Sequence, residues 1–132
     1  MKKVFVYGSL RDGMFNYDKF LQGKVKKTTP GTIKGDLFHI ENKGYPAVIT
    51  GDNKIVGELM EFVDFDSTLI DLDGLENYKP NDTNSEYLRE VVNVTLDNGD
   101  VEKAFFYKYN DKSECNKKDV LKKVSHGDWL KR

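Results

Sequence analysis

The sequence predicts a strand-dominated domain of the α+β class and favours a small, partly closed barrel. Strand-like runs outnumber helical ones, glycines punctuate the extended stretches, and an Asn-Gly turn joins two long alternating segments. A chain of 132 residues suits a single domain, 1–132, around one hydrophobic core. On pattern alone a sandwich or an open α+β layer would also fit. The glycine corners favour the barrel.

The elements follow in order. Val4-Phe5-Val6-Tyr7 is a β-branched and aromatic run stopped by Gly8, and reads as a buried strand. Phe15 to Leu21 sets Phe15, Phe20 and Leu21 at roughly helical spacing. Thr28 to Ile40 is extended in character but broken by Gly31 and Gly35, as barrel corners require. Ala47-Val48-Ile49 is a short strand between Pro46 and a turn at Gly51-Asp52-Asn53, and Ile55 to Val63 is the next strand. Asp64 to Ser67 offers N-caps for a helix from about Thr68 to Glu76. Lys79 to Ser85 is polar and turn-rich, hence a surface loop. Tyr87 to Leu96 and Val101 to Tyr109 form a hairpin about Asp97-Asn98-Gly99-Asp100, where Asn-Gly suits a type I′ turn. Trp129 anchors the polar tail.

The composition narrows the partners. Net charge is -1, so no basic excess points to nucleic acid or an acidic membrane surface. No run approaches the roughly 20 apolar residues of a membrane span, and the run after Lys2-Lys3 is too short for a signal segment. A cytoplasmic protein is expected. The single cysteine, Cys115, allows no internal disulfide, and His39 and His126 belong to no metal-ligand spacing.

Glu76 is the leading candidate for chemistry. In Leu69-Ile70-Asp71-Leu72-Asp73-Gly74-Leu75-Glu76 the apolar positions are Leu69, Ile70, Leu72 and Leu75. At about 100° per residue their mean direction lies roughly 20° from Glu76. A carboxylate on an apolar face must find a partner, turn outward, or sit in a cavity with a raised proton affinity. The last case suits a general acid/base, while pairing with Arg89 is the structural alternative. The turn Tyr7-Gly8-Ser9-Leu10-Arg11 could be a plain tight turn or could present backbone N–H groups to an anion. It lacks the P-loop spacing. Tyr45-Pro46-Ala47 could line a pocket or merely join strands. Glu86 lies in the polar approach to a strand, so Glu86→Gln is expected to matter far less than Glu76→Gln.

Taken in order, these pieces resemble the γ-glutamylcyclotransferase-like family, including the γ-glutamylamine cyclotransferases. The resemblance runs through Val4 to Arg11, Asn16 with Leu21, Tyr45-Pro46-Ala47, Val56-Gly57-Glu58-Leu59, Leu72 to Tyr78, Tyr87-Leu88-Arg89 and Gly127-Asp128-Trp129. It implies a small mixed β-barrel with a few short flanking helices and a cavity at one end. It also implies that Tyr7, Gly8, Ser9 and Leu10 bind the glutamyl part of a small-molecule γ-glutamyl substrate. Glu76 falls at the acid/base position of a cyclisation releasing 5-oxoproline, with no metal or organic cofactor. Two departures are Asn77, where the family often has glycine, and the polar stretch Lys79 to Glu86. A non-catalytic module binding a small metabolite in the same cavity is the alternative, and turnover separates the two. The leaving group and the oligomeric state are left open.

Overall fold

The computed structural model describes residues 2–132. Its strands are β1 (Lys3–Val6), β2 (Val25–Ile40), β3 (Tyr45–Phe62), β4 (Tyr87–Leu96), β5 (Val101–Tyr109) and β6 (Leu121–Lys123), with one α-helix, α1 (Phe65–Leu75). A single wide helical turn, Tyr17–Leu21, precedes β2. The sheet runs β3-β1-β5-β4-β2-β6, and β2 also pairs with β3, so the first five strands close on themselves. The barrel is mixed because β1 lies parallel to β5 and antiparallel to β3.

Strand β1 is buried on both faces, as its unbroken apolar run predicts. Phe5 and Tyr7 join Ile33, Leu59, Val94 and Phe106 in a core drawn from all five barrel strands. Val4 and Val6 point the other way, into a second core with Met60, Leu72 and Tyr107. That second core is roofed by Phe65, Leu69 and Leu75 of α1.

Local chemistry explains the boundaries, with some differences from expectation. Helix α1 starts earlier than Thr68, because the Asp64 side chain accepts the Ser67 N–H at 3.2 Å and caps the first turn. The turn expected at Gly51-Asp52-Asn53 is instead a bulge inside β3. Pairing jumps from Gly35↔Asn53 to Asp36↔Ile49, so the strand bends without ending. The hairpin between β4 and β5 forms in register from Tyr87↔Tyr109 to Thr95↔Val101. Its turn is not type I′. Gly99 has φ 90° while Asn98 stays out of the left-handed region. Gly99 N–H donates to Leu96 O and Leu96 N–H to Asp100 O, which is the bulged form of a hairpin turn. Trp129 is buried, as expected of an anchor, and donates its indole N–H to His39 Nδ1 at 3.1 Å.

Two glycines separate the roles of close packing and propensity. A Cβ on Gly57 would strike the Val6 carbonyl oxygen and the Phe5 ring, whereas one on Gly74 in α1 meets nothing within 4 Å. Gly57→Ala is therefore expected to destabilise the fold by about 2 kcal/mol or more, because β1 must shift out of its slot. Gly74→Ala should stabilise it by about 0.5–1 kcal/mol through helix propensity. Urea denaturation of the two variants beside the native chain checks both signs.

Candidate active site

A cavity of about 310 Å³ opens where the C-terminal ends of β1 and β5 meet the N-terminal ends of β3 and β4, beside the end of α1. Its wall includes Tyr7, Gly8, Ser9 and Leu10 together with Glu76, so the five residues singled out in the sequence share one space. Phe15, Asn16, Lys43, Tyr45, Glu86 and Tyr107 also border it.

The loop after β1 is held from several sides. Gly8 O accepts the Arg11 N–H at 3.0 Å, and Ser9 O accepts the N–H groups of Asn16 and Tyr17 at 3.1 Å each. Asn16 also donates to Ser9 Oγ at 2.7 Å. Among the described residues no acceptor takes the N–H of Ser9 or Leu10. Gly8 is needed for close approach, because a Cβ there would collide with the Pro46 ring. Its φ is not in the left-handed region, so backbone strain is not the reason.

At the base of this loop Arg11 donates to Glu58 Oε2 at 3.3 Å and to Asp128 Oδ1 at 2.9 Å. The Asp12 N–H donates to Glu58 Oε1 at 2.8 Å. Three segments distant in sequence thus meet in one ion-paired cluster. The side chains of Arg11, Glu58 and Asp128 are 11%, 16% and 12% exposed, so water screens them little.

Glu76 sits at the end of α1 and is locked by backbone geometry. Tyr78 N–H reaches Asp73 O at 2.9 Å and Asn77 N–H reaches Gly74 O at 3.3 Å, while Asn77 adopts φ 51°. This is a Schellman ending with Asn77 in the left-handed position often filled by glycine. Ile70, counted with the apolar face in the sequence, is instead 71% exposed. The stripe of Leu69, Leu72 and Glu76 still faces inward, with Leu72 fully buried. Glu76 does not pair with Arg89. That guanidinium holds Asp73 Oδ2 at 2.5 Å, and Tyr107 Oη donates to Asp73 Oδ1 at 2.7 Å. Among the described residues nothing donates a hydrogen bond to the Glu76 carboxyl. Burial, with a smaller contribution from the charge on Glu86, pushes its pKa up to about 8.

The other titratable groups in the cavity are committed. Tyr7 Oη donates to Tyr107 O at 2.5 Å, Tyr87 Oη to Pro46 O at 2.6 Å, and Tyr45 Oη to Glu86 Oε2 at 2.6 Å. Burial raises all three phenols above their ordinary value, and the Glu86 carboxylate raises Tyr45 further. Lys43 gives its ammonium to Glu86, Asn116 and Asp119 at 2.7, 3.0 and 2.9 Å. Burial opposes its charge, but these partners outweigh it and keep its pKa high. Among these groups only Glu76 combines a proton affinity near neutrality with a free carboxyl.

Glu86 is where the sequence reading needs correction. Read from the sequence as lying in the polar approach to a strand, it is a buried part of the cavity wall. Asn110 and Ser113 tie down the preceding loop through Thr83, Asn84 and Ser85, which draws Glu86 inward. No periodic pattern marks it, since its partners come from two other segments, the turn into β3 with Lys43 and Tyr45 and the end of α1 with Asn77.

Among the described residues no group of His, Cys, Asp and Glu is placed to hold a metal ion, and Cys115 is exposed and away from the cavity. No helix among them is long and apolar enough to cross a membrane.

A small closed mixed barrel with this cavity places the chain among the γ-glutamylcyclotransferase-like enzymes. It belongs to the family described as Gamma-glutamyl cyclotransferase, AIG2-like, which matches residues 4–131. The Gamma-L-glutamyl-butirosin B gamma-glutamyl cyclotransferase of Niallia circulans is 32% identical over 130 residues, covering 98% of this chain and 76% of that protein. Among solved structures, an AIG2-like protein of Mus musculus superposes with a TM-score of 0.72 at 20% identity, covering 96% of this chain and 86% of the other. YkqA of Bacillus subtilis gives 0.68 at 26% identity, covering 98% of this chain. This chain spans only 39% of YkqA.

Two outcomes follow from the electrostatics. Arg11→Gln strands two neighbouring carboxylates and should cost on the order of 3 kcal/mol of stability by chemical denaturation. Arg11→Lys should restore only part of that, lacking the planar fork. Glu76 binds its proton more tightly folded than unfolded, so its contribution to stability falls as pH rises from about 4.5 to about 8. Glu76→Gln should therefore melt above the native chain at pH 9, with the gap closing toward pH 4. Melting curves across that range read the sign directly.

Proposed function

We propose that the protein is a γ-glutamyl cyclotransferase that releases 5-oxoproline, with Glu76 as its acid/base group. The observation that carries the reading is the unpaired Glu76 carboxyl in the cavity it shares with the Tyr7–Leu10 loop. The Niallia circulans relative is named as a γ-glutamyl cyclotransferase of γ-L-glutamyl-butirosin B.

In this reading the free N–H groups of Ser9 and Leu10 receive the substrate's α-carboxylate. That fixes the γ-glutamyl chain in a bent form, with its α-nitrogen near its own γ-carbonyl. The nitrogen attacks that carbon, closing a five-membered lactam through a tetrahedral intermediate. Glu76 takes a proton from the attacking nitrogen and returns it to the leaving nitrogen as the old C–N bond breaks. The products are 5-oxoproline and a free amine or amino acid. Well-oriented intramolecular attack supplies about 7–11 kcal/mol. Positioned proton transfer adds about 10²–10⁴-fold.

The test is to incubate the chain with γ-glutamyl amines and γ-glutamyl amino acids and to detect 5-oxoproline. Glu76→Gln should cut release by at least about 10²-fold while the chain stays folded. Near-native turnover by a folded Glu76→Gln variant would overturn the mechanism. Gly8→Ala pushes the loop off Pro46 and should raise KM more than it lowers kcat. An unchanged KM would remove the loop from substrate binding.

A further inference from the structure

Two carboxylates border the same cavity, and their surroundings are opposite. Among the described residues Glu76 has no donor, while Glu86 takes three. Lys43 Nζ donates to Glu86 Oε2 at 2.7 Å, Tyr45 Oη to the same oxygen at 2.6 Å, and Asn77 Nδ2 to Oε1 at 2.9 Å. The main chain of Glu86 is held as well. Its N–H donates to Asn77 O at 3.2 Å, and its carbonyl accepts from Asn110 N–H at 3.2 Å and Asn116 Nδ2 at 2.9 Å. Both its carboxylate and its main chain are therefore tied to neighbouring segments.

We propose that Glu86 is a positioning residue: a carboxylate fixed in its ionised form by Lys43, Tyr45 and Asn77, which sets the proton affinity of Glu76 across the cavity. The inference rests on the reading of Glu76 as the acid/base group. Three features carry it. The first is that one residue, Asn77, joins the two carboxylate-bearing segments. Asn77 follows Glu76 in the chain, caps its helix, and spends its side chain on Glu86. A glycine would make the same cap without that bond. The second is the charge of the group around Lys43. Its ammonium donates to Glu86 and Asn116 and also pairs with Asp119 at 2.9 Å, so two carboxylates share one cation and a net negative charge remains beside the cavity. The third is that the other groups facing Glu76 do not offset that charge. Tyr7, Tyr45, Tyr87 and Tyr107 approach from β1, β3, β4 and β5, and each donates its hydroxyl to a protein acceptor. On α1 itself Asp73 is neutralised by Arg89.

A fixed negative charge in a confined, poorly hydrated space disfavours a second one. Burial alone would raise the proton affinity of Glu86, but its three donors outweigh that and hold it below its ordinary value. Glu76 moves the other way. Environments that drive two neighbouring carboxyl groups apart assign them different roles. Here the group with donors is the fixed charge and the group without them is the proton carrier. The consequence for the reaction is a stronger base. Glu76 is brought closer to the proton affinity of the substrate's α-ammonium group, so proton transfer between them is less uphill than to an ordinary carboxylate.

The experiment follows the side-chain carboxyl of Glu76 by NMR in the full chain labelled with 13C-carboxyl glutamate, its signal identified by loss in Glu76→Gln. Glu86→Gln should lower the Glu76 midpoint by about one pH unit. Lys43→Gln removes the compensating cation and should raise it. Opposite shifts are not expected of residues that merely support the fold. A midpoint unmoved by Glu86→Gln, or moved in the same direction by both variants, overturns the proposal. Should Glu86→Gln fail to fold, the absence of a rise in Lys43→Gln does the same. The titration needs no turnover. If the native chain makes no 5-oxoproline, the functional reading fails while the midpoints still decide this one. Where turnover is present, the rising limb of its pH profile should move to lower pH in Glu86→Gln.

Discussion

The insertion of a four-residue strand between β3 and β5 is the constraint on which the rest depends. Without Lys3–Val6 the sheet has two unpaired edges and no closure. With it, every barrel strand has two neighbours, and residues of one short segment serve two cores at once. Gly57 exists to let that strand lie close, since any side chain there would occupy the space of the Val6 carbonyl. The same insertion delivers Tyr7 to Leu10 to the end of the barrel where β4 begins and β5 finishes. The Tyr7–Leu10 loop is the continuation of the strand that closes the fold, so loop position and barrel closure are one event.

The loop is then pinned from below. Arg11, Glu58 and Asp128 bring together the loop after β1, the C-terminal part of β3 and the C-terminal segment. Around an ionised cluster of this kind, loss of one member leaves the others without compensation. The C-terminal segment contributes more than one charge. Gly127 lies so near Lys54 that a side chain would meet its carbonyl, and Trp129 fills the barrel beside His39. The tail therefore works as a floor beneath the loop.

Above that floor the polar groups are unevenly satisfied. The phenols of Tyr7, Tyr45, Tyr87 and Tyr107 all donate to protein acceptors, as buried hydroxyls should. Glu76 is the exception, and exceptions of this kind are costly unless the site uses them. A carboxyl with no protein partner, among groups that cannot exchange protons near neutrality, leaves one position where a substrate proton could go. Asp73 is held by Arg89 and Tyr107, and Glu86 by Lys43, Tyr45 and Asn77, which leaves Glu76 as the carboxylate of the three without a donor among the described residues.

Much of this was legible in the sequence, and the remainder was not for definite reasons. The strand content, the β4–β5 hairpin, the capped helix and the burial of Trp129 follow from local patterns, because alternation, capping and turn chemistry act within a few residues. So does the inward stripe that ends at Glu76. The bulge at residues 50–52, the Gly99 turn and the exposure of Ile70 did not follow, because each depends on what lies across the sheet or over the helix. Gly51-Asp52-Asn53 carries the composition of a turn, yet β2 runs past it and keeps β3 paired. Glu86 looked like loop, since the residues before it are polar. Its burial was decided by Lys43, Tyr45 and Asn77, and the turn that carries Lys43 and Tyr45 reaches it only in the folded barrel. The sequence alone determined which segments become strands and which carboxylate faces an apolar surface. Only the tertiary structure decided which charges are paired, because pairing is a matter of distances that no local pattern encodes.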